Sequence, residues 1–115
     1  MATFSKLPLS SSTNGKSILV TASASPGTLV HTAVSGSVSF DEVWVYAMNT
    51  ASSSVMLDIE YGGTAVADQI EITIPGESGL VLVVPGLFLN NSLAVRAFAT
   101  SASALALYGY VNRVT

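Results

Sequence analysis

One histidine, a close pair of carboxylates, two strand arginines and a set of strand aromatics are the residues of this chain whose types invite chemistry. His31 is the only imidazole. To act as a general base it would need a nucleophile beside it, and Ser25 and Ser35 are the nearest candidates in sequence. No G-x-S-x-G elbow occurs, because the Gly/Ser pairs fall between strands. His31 therefore reads as a strand histidine packed at an edge or interface, and no catalytic residue is expected. Asp58 and Glu60 stand two apart on an alternating run, so their carboxylates share one strand face. With Asp68 or Glu71 from the next strand they could hold a calcium ion, or they could form a glycosidase pair. No D-x-[DN]-x-[DN]-G loop supports the first, and a solvated outer face is the simpler reading. No metal and no cofactor are expected. Arg96 and Arg113 interrupt apolar strands. Exposure is the plain reading, and an interface ion pair through the planar guanidinium is the other. Trp44, Tyr46, Tyr108 and Tyr110 could stack on carbohydrate, but core and rim aromatics with polar ends at the surface explain them as well.

Those side chains must be positioned by strands. In residues 40–49 Phe40, Glu42, Trp44, Tyr46 and Met48 alternate with Asp41, Val43, Val45, Ala47 and Asn49. Val55, Leu57, Ile59 and Tyr61 share one face of the next run, and Ile70, Ile72 and Ile74 one face of the third. Leu80 to Val84 is apolar throughout, as in a strand buried on both sides. Runs at 16–24, 28–34, 92–100 and 105–114 complete about eight strands, with turn residues between them. Residues 16–34 read as a hairpin about Pro26-Gly27, and Pro85-Gly86 as the start of a loop. The expected fold is all-β: one antiparallel sandwich over residues 16–115, jelly-roll-like or Ig-like. Residues 1–15, interrupted by Pro8 and a polar SSSTNG stretch, read as an extended N-terminal arm.

Composition narrows the function classes. Half the residues are hydrophobic and 10% are charged, against roughly 25% in ordinary soluble domains. Seven acidic and four basic residues leave a net charge of −3. Such a chain lacks the basic stripe that nucleic acid requires and has little to offer an anionic membrane. There is no cysteine. No apolar run approaches the ~20 residues that span a bilayer, and the stretch MATFSKLPLSSS lacks the apolar core of a signal peptide. Sparse charge disfavours a soluble lone domain. With Trp44 taken as a core residue, Val43, Val45, Val81 and Val83 fall on outward faces that need cover, which points to self-association.

Three stretches carry a resemblance: PGTLVHTA at 26–33, the span from VWVYAMN to PGLFLNN at 43–91, and GYVNRVT at 109–115. Together they resemble small virion proteins of tailed bacteriophages encoded beside the major capsid protein, the capsid decoration or cement type. The resemblance covers most of residues 26–115 and consists of strands and turns, with no chemical signature. It implies a non-enzymatic protein on the capsid surface of the virion, clamping neighbouring major capsid subunits, with a homo-oligomer expected and a trimer the best single choice. A tail, neck or fibre-base component and a small carbohydrate-binding module remain the alternatives. The residues expected at partner or subunit contacts are Phe4, Leu7, Leu9, Val43, Val45, Val81, Val83, Phe88, Arg96 and Arg113.

Overall fold

In a computed structural model, which describes residues 2–115, the chain forms nine strands and a single-turn 3-10 helix at Val66–Asp68. The strands are β1 (Phe4–Pro8), β2 (Ile18–Leu19), β3 (Thr28–Thr32), β4 (Phe40–Asn49), β5 (Val55–Tyr61), β6 (Gln69–Ile74), β7 (Val81–Leu89), β8 (Ala94–Ala99) and β9 (Leu105–Val114). One sheet runs β1-β9-β4-β7, with β2 also on β9, and the other runs β3-β8-β5-β6. All pairings are antiparallel.

The topology has a simple construction. The pairs β2·β9, β3·β8, β4·β7 and β5·β6 are the rungs of one long hairpin. Rolling that hairpin brings β9 against β4 and β8 against β5, which are the two remaining pairings between long strands. This is a jelly roll, and it decides between the two sandwich types left open by the alternation. The core lies between the sheets, where Val43 and Val45 of β4 and Leu105, Leu107 and Val111 of β9 meet Leu57 and Ile59 of β5.

Four local expectations are corrected. Residues 16–34 are not a hairpin, because β2 joins β9 while β3 joins β8 in the opposite sheet. The connection crosses the sandwich edge and sends both Val20 and Val30 into the core. Residues 85–89 are not a loop either. Strand β7 continues through them with two register shifts against β4, near Val83 and near Gly86. Gly86 has φ +75, a left-handed conformation that an extra strand residue can adopt without a side chain in the way. The N-terminal stretch is not a free arm: Phe4–Pro8 pairs with Val114–Tyr110 on β9, and Leu9 is fully buried. The exposed area of 5838 Å² is close to the ~5,900 Å² of a compact monomer of this mass.

The fourth correction is the phase of β4. Asp41, Val43, Val45, Ala47 and Asn49 all point inward, while Trp44 and its face point out. The inner face carries a polar residue at each end, and both are satisfied. Asn49 donates to the carbonyls of Ser53 (2.9 Å) and Ile74 (3.0 Å), and its own oxygen accepts the Ala51 N–H. Asp41 is held by Arg113 and His31. A buried polar group that is fully bonded carries little penalty, so this face could be the inner one.

Candidate functional site

The buried polar cluster is the first place to look for chemistry. Strand β3 aims His31 inward, and β4 and β9 aim Asp41 and Arg113 inward to meet it. His31 Nε2 lies 2.7 Å from Asp41 Oδ2. Arg113 grips the same carboxylate with Nε at 2.7 Å and Nη2 at 3.0 Å. Ser10 Oγ stands 2.9 Å from His31 Nδ1, giving a serine, an imidazole and a carboxylate in line. The residues around them set what this line can do. The Ser10 N–H also reaches Nδ1, at 3.0 Å, so Nδ1 is an acceptor and Nε2 carries the proton towards Asp41. Burial lowers the His31 pKa, outweighing the support from Asp41. Burial alone would raise the Asp41 pKa, but the hydrogen bonds from Arg113 and His31 together hold it below the usual carboxylate value. A weakly basic imidazole beside an already neutralised carboxylate is a poor activator of serine. What the cluster does do is fasten Ser10, and with it the segment after β1, to the body of the sandwich.

Sheet β3-β8-β5-β6 holds the carboxylate pair. Asp58 and Glu60 point to its outer face as expected, yet both are buried, which corrects the solvated reading. The 21–27 connection folds over Glu60. Glu60 accepts hydrogen bonds from Ser25 Oγ and from the Gly27 N–H at 2.7 Å. Arg96 donates to the Gly27 carbonyl at 3.2 Å, fixing the same turn. Asp58 lies in register with Glu71 on β6 and Phe98 on β8. Its Oδ1 has no hydrogen-bond partner among the described residues. Burial raises its pKa, with the nearby charges of Glu71 and Glu60 adding to the effect. Among the described residues no three His, Asp or Glu side chains converge as a metal site would require.

The outer face of the β1-β9-β4-β7 sheet is different in kind. The β4 residues Phe40, Trp44 and Tyr46 stand opposite Val114, Tyr110 and Tyr108 of β9. With Phe4 and Phe88 this makes seven of the chain's nine aromatic side chains on one surface. The Trp44 ring lies on Gly86, where a Cβ would come within 2.7 Å of it. Its indole N–H donates to Glu42 Oε1 at 2.7 Å, and Asn112 Nδ2 donates to the same oxygen at 3.0 Å. Those two bonds lower the Glu42 pKa. Tyr110 lies nearly parallel to the indole, with centroids 6.2 Å apart, and Lys6 Nζ sits 4.3 Å from the Tyr110 ring centroid. Beside them is a depression of about 520 Å³ lined by Phe4, Ser5, Lys6, Phe40, Glu42, Asn112 and Val114.

Along the edge of the same sheet, β7 and its approach expose Leu80, Leu82, Leu87 and Phe88. Phe88 stacks on Phe40 at 4.7 Å between centroids, and Tyr61 from the opposite sheet donates to the Leu87 carbonyl at 2.8 Å. Both contacts fix the Leu87–Phe88 end of the strip.

Of the expected contact residues, Phe4 and Phe88 are exposed and Leu7, Val81, Arg96 and Arg113 are partly so. Leu9, Val43, Val45 and Val83 are core residues and cannot meet a partner. Leu80, Leu82, Lys6, Glu42 and Asn112 lie outside the contact residues expected from the sequence. For Glu42 the signal is its place on the same strand face as Trp44, but it depends on knowing which face of β4 is outward. Lys6 and Asn112 join it only through strand pairings far apart in sequence. No family model, curated protein or solved structure matches the chain.

Proposed function

We propose that this chain is a non-enzymatic structural protein of a bacteriophage head, seated on the outer capsid surface, where it ties neighbouring major capsid subunits together as a homo-oligomer. A trimer is the assembly proposed. The head location rests on the resemblance of residues 26–115. The observation that supports an assembly role is the apolar strip of Leu80, Leu82, Leu87 and Phe88 along an edge strand. Several exposed large apolar side chains along one edge strand of a sparsely charged domain call for cover. Pro85 has no N–H and two register shifts distort the β7 ladder, so the edge is poorly suited to strand addition. Its partner must instead pack against the side chains, with Phe88 as the aromatic anchor that interfaces favour.

The test is occupancy on purified capsids, compared for the unchanged chain and for Leu82→Asp/Phe88→Asp. Both positions are exposed, so the variant should keep its circular dichroism spectrum. The reading expects hundreds of copies of the unchanged chain per capsid and at least a tenfold loss in the variant. Light scattering gives the oligomeric state. Equal occupancy would refute the role of β7, and a handful of copies would move the protein to the tail or neck.

A further inference from the structure

We propose that the depression between β1 and β4, floored by β9, is a binding site for a neutral carbohydrate. This goes beyond the assembly role and uses a different part of the sheet.

Charge sets the first condition on a ligand. Lys6 and Glu42 both line the depression, yet no salt bridge joins them, and Lys6 has no carboxylate within ion-pair distance among the described residues. An anionic ligand would be drawn to Lys6 and repelled by Glu42, and a cationic ligand would meet the reverse. A neutral ligand carrying both donors and acceptors satisfies the two together. Neighbouring hydroxyls do this, since each can donate to a carboxylate and accept from an ammonium.

The remaining hydrogen-bonding capacity points the same way. Trp44 and Asn112 occupy Glu42 Oε1, and among the described residues no bond reaches Glu42 Oε2 or Asn112 Oδ1. These bonds also hold the carboxylate still before any ligand arrives, which limits the ordering cost of binding. Glu42, Asn112 and Lys6 thus line one concavity of about 520 Å³, within the usual range for small-molecule sites.

The walls supply the other half of the recognition. Phe4 and Phe40 border the depression, and Trp44 continues the aromatic surface from Glu42. A pyranose has hydroxyls around its rim and C–H groups on its faces, so it can bond to the floor and pack on the rings at once. A neutral peptide offers no such flat apolar face beside a row of hydroxyls.

Purified full-length chain is applied to an array of neutral, sialylated and sulfated glycans, with cellohexaose, chitohexaose and maltohexaose included. The best neutral probe is then titrated by calorimetry and by the fluorescence of Trp44, the only tryptophan. Phe4→Ala and Glu42→Gln are each expected to weaken binding at least tenfold. Phe4 is 76% exposed, so its loss should leave the fold intact, and glutamine at 42 can still accept from the indole. Val66→Ala, 87% exposed and beside the other sheet, should bind as the unchanged chain does. Binding to no neutral glycan, a preference for anionic ones, or unweakened binding by both variants would overturn the proposal. Leu82→Asp lies outside the depression, so its capsid occupancy reports on the assembly role separately.

Discussion

Removing Arg113 should expose how the buried carboxylate of Asp41 is tolerated. Arg113→Met keeps most of the aliphatic bulk and deletes both guanidinium bonds, the 2.7 Å and 3.0 Å contacts. Asp41 would keep only His31 Nε2 at 2.7 Å and the Val34 N–H at 3.2 Å, with its own side chain wholly shielded from water. Stripping one partner from a buried pair costs about 3–5 kcal/mol. The Arg113 side chain is 27% exposed, so the lower end, about 3 kcal/mol, is expected at neutral pH. Proton uptake offers relief. Protonating a carboxyl of ordinary pKa 3.9 costs about 4 kcal/mol at pH 7 and about 1.5 kcal/mol at pH 5. His31 can take the proton instead, pairing its new charge with Asp41, and that route has the same sign. Urea denaturation followed by circular dichroism at pH 7 and pH 5 should therefore show a deficit of about 3 kcal/mol that narrows by at least about 1 kcal/mol on acidification. A deficit below about 1 kcal/mol at pH 7, or one that does not change with pH, would refute the account of Asp41 as a buried, ionised group.

Three further outcomes follow from the same geometry. The unchanged chain should lose stability in two acid steps, since the lowered His31 pKa removes stabilisation as pH falls below the unfolded value near 6.5, and the lowered Asp41 pKa does so below about 3.9; a urea midpoint flat from pH 7 to pH 3 would contradict both assignments. Asp58→Asn should raise stability at pH 7 by about 1 kcal/mol by removing a buried charge with an unpaired oxygen. The raised Asp58 pKa means that the native carboxyl itself becomes neutral on acidification, so the advantage should fade towards pH 4, and destabilisation at pH 7 would count against it. Gly86→Ala should cost about 1–3 kcal/mol, because the new Cβ meets the Trp44 ring from a left-handed backbone position; an unshifted urea midpoint with unchanged tryptophan emission would show that the ring does not rest on Gly86.

Much of the fold was legible because its strands alternate. The inner faces of β5 and β6 were read correctly from Leu57, Ile59 and Ile74, where polar residues mark the other side. Strand β4 was not, because both its faces are apolar and period two fixes the alternation without its phase. The phase depends on Arg113 and His31 reaching Asp41 from distant strands. Local spacing likewise hides that Pro26-Gly27 bridges two sheets and that Lys6, Glu42 and Asn112 share one concavity. Ser10 beside His31 was missed for the same reason, since 21 residues separate them.

The rolled hairpin also dictates when the molecule can be completed. Strand β9 lies in the middle of its sheet, flanked by β1 and β2 on one side and β4 on the other. It is translated after both neighbours. Until Leu105–Val114 emerge from the ribosome, β4 has no partner on that flank and β1 and β2 have none at all. Folding while the chain is still tethered must therefore stall with an open seam down one layer. Closure then joins segments from opposite ends of the sequence, a late and slow event on the millisecond-to-second scale of such non-local β-folds. Nascent copies held close together on one message would present matching seams, and exchange of β9 between them is the misassembly to which this order of synthesis is most open.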